Sequence, residues 1–518
     1  MHVAEQQTWR NISRHEETFN DVLYTQLKKT PWWLISIAFH GILVVGMFTM
    51  DFGPGPMDPG RDLTSQVEDD TFDPLEEPIK PQIDETEFID QPEEVIDEPV
   101  VKDAKVSDHT ETDNDKPFDE SLSRENNLGD APFDGPSSNA AIGVGGGAGG
   151  ALGGRGGNEN LKAYGGGRTT RNAADLGLKW LKDHQDRDGY WDCDGFMKHD
   201  QVPPVCDGAG QALYDPGVSG LALLAFLGAG QTHRHGDYKK TVKTGLRYLK
   251  QVQDPEGCFG PRTDGHYVYN HAIAAMAMAE AYGMTGSVLF KQSAQQAIDF
   301  IHKAQNPYLA WRYGVRPQDN DSSVTGWMIM ALKSAKVSGL RVSQDAFDGC
   351  RAWIEKATEP EYGRVGYTAR GTGPARPEGM MDQWPADKSE SLTAVGILAR
   401  IFTGEDPRKS EVIGKGVDLC LKALPVWDEE SGSIDMYYWY YATLGLFQVG
   451  GDAWDKWNDA MKPAIIDSQR KDQVSFKGSW DPAGPWGHAG GRVYSTAVMV
   501  MCMEVYGRYS RLFQGKRR

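Results

Sequence analysis

Basic residues are what this chain is short of. Lys and Arg number 54 against 73 Asp and Glu, a formal net charge of −19. No basic patch marks a nucleic-acid surface, so nucleic acid is not an expected partner. The deficit is local: residues 51–134 hold 27 acidic and 6 basic residues, which leaves the rest of the chain near +2. That stretch also lacks apolar periodicity. It cannot repay the entropy of ordering itself and reads as a solvated spacer. Cysteine is sparse, six in 518 residues, and the spacings match no standard zinc pattern. Also missing is a small-residue cleavage site after the one long apolar run, residues 31–50, so that run reads as an uncleaved anchor rather than an export signal.

What the apolar run does have is length. Its twenty residues carry no formal charge apart from His40, and at about 1.5 Å per residue they span a bilayer. Lys28 and Lys29 precede it and the acidic tract follows, so the N-terminus is expected in the cytoplasm. Trp32 and Trp33 suit the membrane interface. The expected order is a cytoplasmic segment 1–30, a transmembrane helix 31–50, an acidic Pro-rich linker 51–140 and a Gly-rich linker 141–168. A helical region 169–510 and a basic tail 511–518 complete it. The helical region is then extracytoplasmic, tethered to the inner membrane by 118 residues that reach about 60 Å as a coil. Inside the anchor, Ser36 and His40 share one helix face. An ionisable group at that depth is a functional hypothesis. The plain alternative is a neutral His with Ser bonded back to a carbonyl.

From about residue 171 onward a pattern recurs: Gln, three residues, Gly, one residue, aromatic. It is clearest at Gln185 to Gly189 and Trp191, and again at Gln253 to Gly257 and Phe259. Gln305 to Trp311 has Leu309 in the Gly place, and Gln469 to Gly478 and Trp480 has an insertion. Such periodicity signals a repeat architecture. Each unit pairs an apolar helix with an amphipathic one. Apolar helices cover 218–229 and start near Asn270, Val324, Leu392, Tyr438 and Tyr494. Amphipathic ones cover about 172–185, 238–253, 288–305, 344–357, 410–424 and 453–469. Six of each make an all-α, closed (α/α)6 toroid, in which closure replaces capping repeats. Gln is expected to satisfy orphan groups at a helix end, Gly to permit a turn, and the ring to pack on the next unit.

The repeat resembles that of the squalene cyclase and protein prenyltransferase β-subunit superfamily, over about 340 residues. The stretches 435–446, 478–481 and 491–496 add to the likeness. The resemblance implies a cavity ringed by apolar helices, with its rim at their N-terminal ends and an isoprenoid or other hydrophobic ligand inside. It implies no cofactor. Zinc-dependent prenyl transfer needs Asp, Cys and His ligands, and Tyr438 stands where that family has His, so no metal is expected. Protonation-initiated cyclisation needs a strong acid, usually in Asp-x-Asp-Asp. Here Asp319 and Asp321 match the first two acids and Ser322 replaces the third. Asp321 is therefore either a proton donor or a helix N-cap. The anchor, over about 25 residues, is similar to that of TonB-type energy transducers, which implies a proton-channel partner at Ser36 and His40.

Other rim candidates are Asp215, His271, Trp327, Glu390, Asp435, Tyr437, Tyr438 and Arg492. Glu280 and Glu504 lie inside apolar helices, where an acid must be paired or neutral. Cys193 and Cys206 flank a polar insertion and are the expected disulfide, with free thiols, or a metal site that draws on nearby Asp192 and His199, as alternatives. Three functions stay open: a binding toroid for a hydrophobic ligand or envelope partner, an isoprenoid cyclase acting through Asp321, and an envelope transducer.

Overall fold

The computed structural model describes residues 158–508 except Glu378, together with Leu152, Arg155, Arg511 and Leu512. All of these lie in one unit, His109–Arg518. The expected anchor with Ser36 and His40, and the acidic linker, fall outside the described residues. Among the described residues no helix is long and apolar enough to cross a membrane.

The described residues form helices without strands. A short α1 (Asn158–Ala163) leads into outer helix α2 (Arg168–Asp183). Inner and outer helices then alternate: α3 (Asp215–Gly228), α4 (Lys239–Gln251), α5 (Tyr267–Thr285), α6 (Val288–Ala304), α7 (Ser322–Val337) and α8 (Gln344–Ala357). The series continues with α9 (Ser391–Phe402), α10 (Glu411–Cys420), α11 (Met436–Val449), α12 (Gly451–Ile466), α13 (Gly487–Met503) and a final turn, α14 (Val505–Arg508). Each odd-numbered helix from α3 to α13 packs on the next, and α13 returns to α3. In the outer layer α12 returns to α2. The ring is closed, six helices inside and six outside, as the repeat predicts.

Burial follows this plan. Every residue of α3 after Asp215 is buried. In α4 only Thr241, Val242, Gly245, Leu246 and Leu249 are buried, one stripe facing the inner layer.

The repeated motif builds the joints between units. Gln185 Nε2 donates to the Gly189 carbonyl in its own loop, 2.8 Å, and to the Thr241 carbonyl on the next outer helix, 3.0 Å. Gln253 does the same to Gly257 and Ser293, and Gln305 to Leu309 and Ala346. Gln469 donates to Gly478 and, across the closure, to Ala173 on α2. The indole of each motif Trp returns to its own outer helix: Trp191 to Leu181, Trp311 to Ile301 and Trp480 to Ile465, all at 2.7–2.8 Å. Gly257 has φ +94°, and a Cβ there would stand 2.3 Å from the Gln296 carbonyl oxygen. In the copy with Leu309 the glycine has changed sides: a Cβ on Gly349 of α8 would stand 2.2 Å from the Leu309 oxygen.

At the C-terminal ends of the inner helices a buried ion network closes the ring. Glu280 of α5 accepts from Arg155 at 2.7 Å, Arg508 at 2.9 Å and Ser334 at 3.1 Å. The expectation of a paired acid holds there.

Candidate functional site

The N-terminal ends of α5, α7 and α11 meet, and their first turns carry polar side chains. Tyr269 donates to Ser323 Oγ at 3.0 Å, and Ser323 Oγ lies 2.9 Å from the Tyr437 hydroxyl. Tyr313 and Tyr367, on loops beside this chain, share a 2.6 Å hydrogen bond. The Arg312 guanidinium lies over both of their rings. Tyr269 and Tyr494 are so enclosed that lost hydration holds their phenols well above the ordinary range, yet each keeps solvent-reachable surface. The N-terminal ends of these inner helices are the mouth of the ring. Ile273, one turn below Tyr269, keeps 7% exposure, and Tyr437 keeps 8%.

Asp321 stands at this mouth, fully buried, as the N-cap of α7. Its Oδ1 accepts from Val324 N at 2.7 Å. Its Oδ2 is buried without a hydrogen bond, and Arg312 Nε is 3.9 Å from it. Burial lifts its pKa to about 7 against the opposing pull of the Val324 N–H and Arg312. The N-cap reading is therefore correct. Asp319 is not beside it chemically: its carboxylate is exposed and pairs with Arg312 at 2.7 Å. Ser322, in the place of a third acid, donates to the Gly366 carbonyl and accepts from the Trp353 indole.

Asp435 caps α11 through Tyr438 N, and accepts from Ser389 Oγ at 2.8 Å and from Arg376 at 3.0 Å. Trp327 stacks on Tyr440 and meets Tyr441 edge-on in the wall behind the mouth.

The remaining rim candidates have other occupations. His271 accepts from Phe259 N through Nδ1 and donates from Nε2 to the Ala297 carbonyl. Ser219, Thr325 and Thr496 receive the corresponding N–H in the other motif copies, so His271 is a joint residue and not a cavity group. Tyr438 points outward and donates to the Cys420 carbonyl, with its ring against Trp457. Arg492 ties Asp207, Ser479 and Asp481 together. Glu390, at the start of α9, takes Arg364 and Thr393. Asp215 accepts from Cys193 N at 2.8 Å, and burial lifts its pKa to about 6.

The expected Cys193–Cys206 disulfide is a correction: both thiols are free and buried. Cys193 sits against Asp215, while Cys206 donates to the Ser475 carbonyl on the far side of the insertion.

Sequence reasoning did not single out Tyr269, Tyr313, Tyr367, Ser323, Arg312 or Arg376. The first turns of α5, α7 and α11 hold a signal for some of them: a hydroxyl residue just before the apolar run.

Residues 168–373, which include Asp321, match the family model of the squalene-hopene cyclase C-terminal domain. The helical ring is squalene cyclase-like. No curated protein matches the chain. Among solved structures, a type II terpene cyclase from Scytonema with geranylgeranyl dihydroxybenzoate is 13% identical, with a TM-score of 0.40. The alignment covers 65% of this chain and 97% of that one. Cellobiose 2-epimerase from Bacillus thermoamylovorans is 15% identical, with a TM-score of 0.45, covering 65% and 98%. An α-1,6-mannanase from Salegentibacter is 11% identical, with a TM-score of 0.43, covering 65% and 99%. Likenesses this distant assign no substrate to the squalene cyclase-like ring.

Proposed function

We propose that this squalene cyclase-like ring is a binding toroid that holds a ligand with an apolar body and a polar end. The hydroxyl chain Tyr269–Ser323–Tyr437 beside Asp321 carries the reading. Aromatic faces and Ile273 suit an apolar body, and the phenols with the buried Asp321 suit a hydroxyl or carbonyl at its end. Against cyclisation as the main activity stands the incomplete acid motif: Ser322 and Asp319 supply no second acid to Asp321. With this goes the anchored topology: an N-terminal segment in the cytoplasm, a helix through the inner membrane, and an extracytoplasmic ring on a long acidic tether. A proton-channel partner at Ser36 and His40 belongs to the same proposal. Equal recovery of channel subunits with wild type and His40→Ala would count against it.

A second reading, an isoprenoid cyclase, has one observation in its favour. Asp321 combines a pKa near 7 with an oxygen that has no hydrogen-bond donor, as a proton donor requires. Incubation of the purified full chain with squalene and shorter polyprenes separates the two. Retention of a polyprene without conversion supports binding. Cyclised product from wild type but not from Asp321→Asn establishes the cyclase. Neither retention nor product removes both readings for this ligand class.

A further inference from the structure

The seam where the ring closes carries a second cluster, built on other residues. His184 follows the end of α2. Asp200 and Cys206 come from the insertion between α2 and α3, and Ser475 from the segment after α12. His184 Nε2, one Asp200 oxygen and Cys206 Sγ all lie within 4.8 Å of one another. The side chains of His184 and Asp200 are 5% and 1% exposed, and Cys206 is 3% exposed.

The hydrogen bonds assign a role to each ring nitrogen of His184. His184 Nδ1 lies 2.8 Å from the Trp180 carbonyl. A carbonyl cannot donate, so Nδ1 carries the proton. In the neutral ring Nε2 then presents a lone pair, and it faces Asp200 Oδ1 at 3.0 Å. Two acceptors at that distance need a cation between them, either a second ring proton or a metal ion. Cys206 Sγ, 4.0 Å from the same Nε2, adds a soft third donor. An Nδ1–H bonded to a backbone carbonyl is the usual second contact of a metal-bound histidine. Trp180 stacks on the ring at 3.9 Å and Phe196 meets it edge-on, which fixes its direction and keeps water out. Asp200 Oδ2 is occupied by Cys206 N at 2.5 Å, which leaves Oδ1 to face His184.

We propose that His184, Asp200 and Cys206 form a binding site for one zinc-class divalent cation. Nitrogen, oxygen and sulfur ligands in one set suit zinc, whose bond lengths of about 2.0–2.3 Å give ligand separations of about 3.3–3.6 Å. The observed 3.0 and 4.0 Å lie on either side of that range. A fourth position is left for water, as in zinc sites with three protein ligands. Cys206 donates its thiol proton to the Ser475 carbonyl, so binding must expel that proton to solvent. The ion would fasten the insertion to the first outer helix at the closure of the ring.

The test uses full-length protein in detergent, stripped by a chelator and titrated with Co2+. The site predicts a thiolate-to-cobalt charge-transfer band saturating at about one equivalent and displaced by Zn2+. The band should be lost in Cys206→Ser and His184→Ala and kept in Cys193→Ser. If the two ligand variants fail to fold, wild type decides alone. A saturating band together with a Zn2+-dependent rise in Tm supports the site. No band in wild type, or an unchanged band in Cys206→Ser, overturns it.

Discussion

Asp321 shows how one side chain can answer two questions. It was legible in the sequence as a cap or as an acid, and it has the attributes of both, because its two oxygens differ. Oδ1 caps α7 while Oδ2 has no donor. The consequence is a pH dependence with a definite sign. Its folded pKa of about 7 lies above the ordinary aspartate value of 3.8, so the folded chain binds the extra proton between these values. Stability from this group is fully present below about 4 and is lost as pH rises through about 7, an effect of order a few kcal/mol. Asp321→Asn keeps a capping oxygen and cannot titrate. The fall in Tm from pH 4.5 to pH 8 should therefore be smaller in Asp321→Asn than in wild type. Equal falls would mean the carboxylate stays charged in the folded protein. His271 went the other way. Of the rim candidates it is a satisfied structural histidine, standing where other units use Ser or Thr to receive a motif N–H. A single residue gives no clue to such a substitution until the units are superposed in space.

At the scale of elements, the helical pairs were readable because burial differs so strongly between the two layers. The starts of the inner helices were less readable. The observed starts at Tyr267, Ser322, Met436 and Gly487 precede the expected ones, because the first turn lines the mouth and carries polar residues there. In α13 the gap is widest, since Gly491 breaks the helical path with φ +65°. The motif glutamines make a graded prediction. Gln469 is buried, and its amide satisfies two carbonyls at 2.9 and 3.0 Å. Gln305 is only half-buried, and its second bond is 3.4 Å. Leaving a buried carbonyl without a donor costs about 1–3 kcal/mol. Gln469→Ala should thus lower the urea midpoint more than Gln305→Ala, and the reverse order would contradict a stapling role. Gly257→Ala places a methyl group against the Gln296 carbonyl at positive φ and should cost about 1–3 kcal/mol, read from the same midpoint.

On the scale of the molecule, the ring has two unlike ends. One is a mouth of hydroxyls and aromatic faces; the other is closed by Glu280 with Arg155 and Arg508. Arg155 comes from the Gly-rich stretch, whose composition reads as a plain linker. Nothing in such a low-complexity run shows that one of its arginines ends beside a buried glutamate, so this contact was not legible. Removing a partner from a buried ion pair costs about 3–5 kcal/mol. Arg508→Ala should therefore lower Tm sharply, and Glu280→Gln should soften that loss when the two are combined. Additive losses would mean the two groups do not interact. The central claim concerns the other end: the ring holds an amphipathic ligand at the Tyr269–Ser323–Tyr437 mouth. Mass spectrometry of small molecules extracted from the purified full chain tests it most directly, with Tyr437→Ala, checked for folding by circular dichroism, beside wild type. A hydrophobic compound enriched over the detergent blank in wild type and depleted in the folded variant is the predicted result. Equal recovery from both proteins, or nothing above the blank from wild type, would contradict it.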